Sequence, residues 1–90
     1  MTDGYTVQVS SEAIRGLNRL PTKVAAAIVE FVTVTLVKNP QQLSKPLRGE
    51  LEAYRSARRG DYRILIRIDE DERTVLVIRV DHRAHAYRPL

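Results

Sequence analysis

The strongest constraint on this fold is a pair of alternating segments in the second half of the chain. In Tyr62–Ile68 one face of an extended chain takes Tyr62, Ile64, Ile66 and Ile68, and the other takes Arg63, Leu65 and Arg67. This period of two is typical of a β-strand. A second strand is predicted from Thr74 to Arg83, with Leu76, Ile78 and Val80 toward the core. The charged run Asp69–Arg73 is predicted to join the two strands as a hairpin loop.

The pairing of these strands gives a first indication of function. If Ile68 lies opposite Thr74, then Arg63 lies opposite Arg79. Like charges directly opposite each other destabilise a sheet, unless an acid or a bound anion lies between them. A register shift of one residue would remove this argument.

The first half of the chain predicts one strand and two helices. Tyr5–Val9 alternates apolar and polar residues, as a half-buried strand does. Ser10 and Ser11 offer an N-cap to a helix that ends at Pro21, and a second helix is predicted from there to about Lys38.

The second helix has an alternative interpretation. Val29–Val37 is rich in β-branched residues and favours a strand on propensity alone. We predict a helix because the whole run between the two prolines is too long for a typical strand. Between Val24 and Val37 the only charged residue is Glu30. Either a partner helix covers this apolar segment, or the two helices bury one another on the sheet.

The remaining segments complete an α+β prediction. Gln41–Lys45 is predicted as a polar loop, Leu47–Leu51 as a short bend and Tyr54–Arg58 as a short strand. The order β-α-α-β-β-β predicts two helices packed on one small, antiparallel-rich sheet. A length of 90 residues suits a single domain over residues 1–90.

Composition excludes several classes of site. The chain has no cysteine, so it has no disulfide, thiolate metal site or cysteine nucleophile, and its four glycines form no phosphate-binding loop. No apolar stretch reaches the roughly 18–20 residues of a membrane span, and the first residues lack the pattern of a signal peptide. We therefore expect a cytoplasmic protein without a cofactor and without a membrane partner.

Arginine dominates the charge of this sequence. Fifteen basic and eleven acidic residues give a net charge of +4, and ten of the twelve arginines lie between Arg48 and Arg88. The guanidinium group matches phosphate geometry, so this concentration suggests a nucleic-acid binder. The alternative is that these arginines pair with the eight acids between Glu50 and Asp81.

The C-terminal segment collects groups suited to RNA chemistry. His82 and His85 lie near Tyr87 and several arginines, and two histidines alone are too few for a metal site. Arginines can hold a phosphate, an imidazole can move a proton and a tyrosine can stack on a base. The alternative is a solvated basic sheet edge with Tyr87 packed on the core.

Five blocks of the sequence resemble the RelE branch of the RelE/ParE toxin superfamily. They are Lys45–Leu51, Arg58–Ile64, Arg67–Asp69, Asp81–Arg83 and Tyr87–Arg88. The resemblance implies an mRNA interferase, the toxin of a toxin–antitoxin pair, which cuts the codon in the A site of the 70S ribosome. The RNA 2′-OH attacks the phosphate without a metal. A cognate antitoxin is implied as well, and contact with operator DNA occurs only through it.

The same resemblance implies roles for individual residues. Arg63 corresponds to the arginine that contacts the reacting phosphate, Arg83 to the one that stabilises the transition state or the leaving group, and Tyr87 to the aromatic that stacks on a codon base. We assign RNA binding to the basic residues Lys45, Arg48, Arg55, Arg58 and Arg59.

The sequence departs from the best-studied relatives in one respect. They carry lysines on the strand corresponding to Tyr54–Arg59, one of them a proposed general base, and this stretch has none. Arginine stays protonated at neutral pH and is a poor base. The base is therefore sought among His85, His82, Glu52 and Asp81, with His85 first. A mechanism without a base, driven by RNA geometry, is the alternative.

Two other functions stay open at this point. One is a ParE-like inhibitor of DNA gyrase that binds without chemistry. The other is an inactive family member that serves only as a partner in an antitoxin or DNA complex, a hypothesis that the missing lysines support.

Overall fold

The computed structural model describes residues 4–82. These residues form five strands and two helices, with two short helical turns continuing the second helix. The elements are β1 (Thr6–Val9), α1 (Ser11–Asn18), α2 (Thr22–Glu30), β2 (Ser44–Pro46), β3 (Arg55–Arg59), β4 (Tyr62–Asp69) and β5 (Thr74–His82).

The strands form one mixed sheet in the order β1-β5-β4-β3-β2. β1 runs parallel to β5, and every other pair is antiparallel. The predicted α+β class, the two helices and the antiparallel-rich sheet are therefore confirmed. The sequence prediction missed β2, because it lasts only three residues and ends in a proline within a segment that has the composition of a loop.

The second helix forms as the length of its segment predicted, although its β-branched residues favour a strand. α2 continues through a π-helical turn, Phe31–Thr35, and a 3₁₀ turn, Leu36–Lys38. The helix leaves α geometry where its β-branched residues concentrate, and the Thr33 hydroxyl donates there to the Val29 carbonyl at 2.7 Å. No helix within residues 4–82 is long and apolar enough to cross a membrane.

Both helices cover one face of the sheet, and the core lies between these layers. Its buried residues are Ala13, Ile28, Val32, Leu36, Ala57, Ile64, Ile66, Val75, Val77 and Val80. The predicted core face of β4 is confirmed at Ile64 and Ile66. The prediction of Leu76 and Ile78 as core residues of β5 is wrong, since both are only half-buried and Val75 and Val77 take their place.

A β-bulge explains that error, and the predicted strand register is wrong by one residue at the hairpin loop and by one more at the bulge. Ile68 pairs with Val75 and not with Thr74. The register then shifts between Leu65 and Ile66, with Ile78 as the extra residue of β5. Beyond the bulge Arg63 lies opposite Asp81, so the predicted Arg63–Arg79 pair does not form.

Ser10 connects this bulge to the start of α1. Its hydroxyl accepts from the backbone N–H of Ala13 at 3.0 Å, as an N-cap does, and donates to the carbonyl of Ile78 at 2.6 Å. Its backbone N–H donates to the carbonyl of Val77 at 2.9 Å. One residue thus caps a helix and satisfies backbone groups on both sides of the bulge.

Replacing Ser10 with alanine is expected to lower the free energy of unfolding by about 1–2 kcal/mol, the usual cost of losing a cap with a partly buried hydrogen bond. Urea unfolding followed by circular dichroism measures this loss. The matched control is Ser11→Ala, because Ser11 is exposed and begins the helix without capping it. Equal effects of the two substitutions would contradict the role given to Ser10.

Gly16 allows α1 to lie directly against the end of β5. A Cβ atom at this position would lie 3.0 Å from the carbonyl oxygen of Val80. The glycine weakens the helix locally, but it brings α1 close to the segment of β5 that carries Arg79 and Asp81.

Candidate nucleic-acid interface on the open sheet face

Within residues 4–82 one face of the sheet carries no helix, and we call it the open face. Alternation along the strands assigns residues to it, because Ile64, Val77 and Ala57 point toward the helices. Its polar and charged residues on the four antiparallel strands are Lys45, Ser56, Arg58, Arg63, Arg67, Asp69, Thr74, Arg79 and Asp81.

A basic groove lies on the open face along β2, β3 and the start of β4. It encloses about 340 Å³, and its charged lining residues are Lys45, Arg58 and Arg63. Its remaining lining residues are Gln42, Leu43, Ser44, Pro46, Leu47 and Ser56. The structure therefore brings together three of the basic residues singled out in the sequence. The contributions of Gln42 and Ser44 were missed, because recognising them requires β2.

Two arginines face each other directly in this groove. Arg58 on β3 pairs in register with Arg63 on β4. Side chains in such a pair have Cβ atoms about 4.5–5.5 Å apart, so two positively charged side chains start from neighbouring positions on the open face. Arg58 is exposed, and its Nε donates to the Gly60 carbonyl at 3.2 Å. The sequence paired Arg63 with Arg79, which is wrong, and the arginine directly opposite Arg63 is Arg58.

An ion pair lies on the other side of Arg63. Asp81, directly opposite Arg63 on β5, contacts Nε of Arg79 through its Oδ2. The Arg79 side chain is 11% exposed and that of Asp81 26% exposed. Asp81 thus supplies a negative charge next to the two facing arginines.

The opposite end of the open face is acidic. The hairpin loop after β4 carries the four consecutive acids Asp69, Glu70, Asp71 and Glu72. Five residues of β4 lie between Arg63 and Asp69, which places the two roughly 20 Å apart along the strand. Among residues 4–82, an anion on this face meets favourable charge at the groove and repulsion at the loop.

Two of the predicted RNA-binding arginines lie on the helix-covered face instead. Arg55 donates from Nε to the Ser44 hydroxyl at 2.7 Å and from Nη2 to the carbonyls of Gln41 and Ser44 at 2.9 and 3.0 Å. It therefore holds the segment leading into β2. Arg59 pairs with Tyr62 and is exposed on the same side.

The other predicted residues divide into two groups. Arg48 is exposed in the loop after β2, ahead of the turn Gly49–Leu51, and does not line the groove. Arg83, His85 and Tyr87 lie outside the described residues. The assignment of these three rests on the sequence.

The three candidate general bases within the described residues lie in different environments. His82 lies on the helix-covered face, where its ring meets that of Tyr62 edge-on at 5.4 Å between centroids. Asp81 is engaged by Arg79. Glu52 is exposed in the loop between β2 and β3.

The fold agrees with what comparison with known proteins finds. A family model described as the ParE toxin of the type II toxin–antitoxin system parDE matches residues 7–87. The chain therefore belongs to the RelE/ParE superfamily of type II toxins.

Individual relatives lie in the RelE branch of that superfamily. Toxin RelG of Mycobacterium tuberculosis is 50% identical over 84 residues, which are 93% of this chain and 97% of the relative. Toxin RelE of the same organism is 49% identical over 84 residues, covering 93% and 87% of the two chains.

Solved structures show the same fold. A chain of the toxin–antitoxin complex RelBE2 from M. tuberculosis superposes with a TM-score of 0.85 at 48% identity, covering 88% of this chain and 98% of that one. The intact Escherichia coli RelBE complex gives a TM-score of 0.72 at 19% identity, covering 87% and 95%. The resemblance stated from the sequence is confirmed.

Proposed function

We propose that this toxin is a ribosome-dependent endoribonuclease that cuts mRNA at the codon in the A site and so inhibits translation in the cytoplasm. The observation that carries the proposal is the facing pair Arg58 and Arg63 in a basic groove. Two arginines that start from directly opposed positions concentrate positive charge, and a bound phosphate would relieve their repulsion. Half to two-thirds of the hydrogen bonds between proteins and DNA go to phosphate and sugar.

The proposed reaction needs no protein nucleophile and no metal. The 2′-oxygen of the RNA forms a bond to the adjacent phosphorus while the bond from phosphorus to the 5′-oxygen breaks. The 2′-OH proton goes to a base, and the leaving 5′-oxygen gains a proton. The products are a 2′,3′-cyclic phosphate and a 5′-OH, and the extra negative charge of the transition state lies on the phosphate oxygens.

Within this reaction Arg63 contacts the phosphate and stabilises that charge, because a central strand holds its backbone in place before the substrate arrives. Arg58 and Lys45 hold the flanking backbone. We propose Arg83 for transition-state stabilisation, Tyr87 for base stacking and His85 for the proton. Asp81 and His82 are weaker candidates for the base, because one is ion-paired and the other lies on the opposite face.

We further propose that a cognate antitoxin covers an apolar groove on the outer side of the helices. Its apolar lining residues are Ile14 and Leu17 on α1 and Ala25, Ala26, Val29 and Val34 along the second helix, and Asn18, Thr22, Glu30 and Thr33 complete the lining. Ile14, Val29 and Val34 are 48%, 45% and 50% exposed. Helices that simply buried one another would not leave these side chains half in solvent. An apolar helix of the antitoxin suits this groove, and the 48% identical relative was solved as a toxin–antitoxin complex.

Inhibition of DNA gyrase is the second candidate, since the matching family model is described as a ParE toxin. Such an inhibitor breaks DNA in cells and leaves mRNA ends unchanged. The two functions are therefore separated by which nucleic acid is cut after expression.

Arg58 and Arg59 offer a matched pair of substitutions for the groove. They are adjacent, both exposed and equal in charge, but they lie on opposite faces of β3. Arg58→Ala is expected to weaken mRNA cleavage on programmed ribosomes by about 10-fold or more, the cost of one charge-assisted phosphate contact. Arg59→Ala is expected to change it less than 2-fold or so.

Primer extension on mRNA held in purified ribosomes measures both rates. An equal loss for the two variants would mean that total charge, and not the groove, governs binding. A loss confined to Arg59→Ala would place the RNA on the wrong face for this proposal.

A further inference from the structure

We infer that Asp81 is a positioning residue, which holds Arg63 in the orientation needed to contact a phosphate in the basic groove. This inference rests on the proposed function for its catalytic consequence, but not for its structural content. It starts from a row of three charged residues that crosses the open face.

The row consists of Arg58, Arg63 and Asp81 on three neighbouring strands, each directly opposite the next. Arg63 thus lies between Arg58 on β3, which repels it, and Asp81 on β5, which attracts it. Both forces act on its guanidinium in the same direction, away from Arg58 and toward Asp81. Directly opposed side chains lie about 4.5–5.5 Å apart at Cβ, which is close enough for both effects to matter in a partly buried site.

Asp81 is itself held in place. Its Oδ2 contacts Arg79, which precedes it by two residues on the same face of β5 and is 11% exposed. A carboxylate fixed by a largely buried arginine has little freedom to rotate, so it can orient a second arginine across the strand pair. A carboxylate accepts at both oxygens, so the contact with Arg79 does not use up its capacity to accept from a second arginine.

The β-bulge places Asp81 directly opposite Arg63. Without Ile78 as an extra residue, the uniform pairing of β4 and β5 would place Val80 opposite Arg63. With the bulge, Asp81 occupies that position on the open face. Ser10 holds the bulge through hydrogen bonds to Val77 and Ile78. Helix α1 therefore supports the site through the β5 backbone, although it lies on the other side of the sheet.

The inference predicts opposite changes in binding and in rate for Asp81→Asn. Removing a negative charge beside the phosphate site strengthens RNA binding. If Asp81 acted only through its charge, the substitution would also speed cleavage. If Asp81 positions Arg63, the substitution slows cleavage. We expect the cleavage rate at saturating ribosome concentration to fall roughly 10- to 100-fold. The ribosome concentration that gives half of the maximal rate should stay unchanged or decrease.

The test compares the full chain with Asp81→Asn in two measurements, one of which requires no catalysis. Nuclear magnetic resonance of arginine Nε–Hε groups reports directly on Arg63. Its signal is expected to shift in the variant and to exchange with water several-fold faster, while that of Arg59 stays in place. Single-turnover cleavage on programmed ribosomes gives the rate and half-saturation. Asp81→Glu should restore part of the rate.

Two further results separate this role from others. In an Arg63→Ala background, Asp81→Asn should cause no additional loss of rate, because the group that it positions is gone. The rate loss of Asp81→Asn alone should be the same at every pH, whereas loss of a general base would change the shape of the pH profile. A changed profile, or an additive loss, would overturn the inference.

The failure of this inference is distinguishable from that of the proposed function. If the wild-type chain cleaves no mRNA but the Arg63 signal responds to Asp81→Asn, the proposed function fails and the positioning stands. If the wild-type chain cleaves and Asp81→Asn leaves both the signal and the rate unchanged, the positioning is overturned.

Discussion

Replacing Arg63 with alanine is expected to slow mRNA cleavage on programmed ribosomes by about 10²–10³-fold, the cost of removing one preorganised donor to a developing oxyanion. Arg63 lines the basic groove, faces Arg58 and lies opposite Asp81. Expression of the variant in cells should no longer arrest growth. Single-turnover kinetics measure the loss without contributions from product release.

Arg63→Lys separates charge from shape at this position. Lysine keeps the charge but presents a single ammonium in place of a planar fork, so it should recover only part of the lost rate. Arg67→Ala is the matched control, because Arg67 lies on the same strand and face but outside the groove. The thermal midpoint of each variant shows that folding is intact. A folded Arg63→Ala variant that cleaves at the wild-type rate would remove Arg63 from the mechanism.

Replacing Val29 with lysine is expected to weaken binding of the antitoxin by at least about 100-fold, because an unpaired ammonium would be buried under an apolar partner. Val29 lines the apolar groove and is 45% exposed in the chain alone, so the toxin itself should fold normally. Coexpressed antitoxin should then fail to protect cells. Titration calorimetry or gel filtration of the purified pair measures the change.

Thr35→Lys controls for the added charge. Thr35 is exposed on the same helical segment and does not line the groove. Full neutralisation of Val29→Lys at normal antitoxin levels would mean that the antitoxin docks elsewhere.

Sequence patterns predicted the fold well where segments were long. The alternation of Tyr62–Ile68 identified β4 and its core face, and the length of the second helix outweighed its strand propensity. Sequence patterns did not predict two features of the sheet. β2 is too short to carry a period, and the bulge at Ile78 depends on Ser10, a residue far away in the sequence.

The candidate site was predicted in composition and not in arrangement. A count of arginines indicated a basic site but could not say which face each arginine takes. Arg58 and Arg59 are neighbours in sequence and lie on opposite faces, while Arg63 faces Arg58 and Asp81 only because of strand pairing and the bulge. The role of Arg55 in holding β2 likewise depends on tertiary contacts.

The most direct test of the central claim is the mapping of mRNA 5′ ends in cells shortly after expression of the wild-type chain and of Arg63→Ala. The account predicts new 5′-OH ends in frame with codons for the wild type and none for the variant. Growth arrest with unchanged mRNA ends, accompanied by broken DNA, would contradict the ribonuclease and favour inhibition of gyrase.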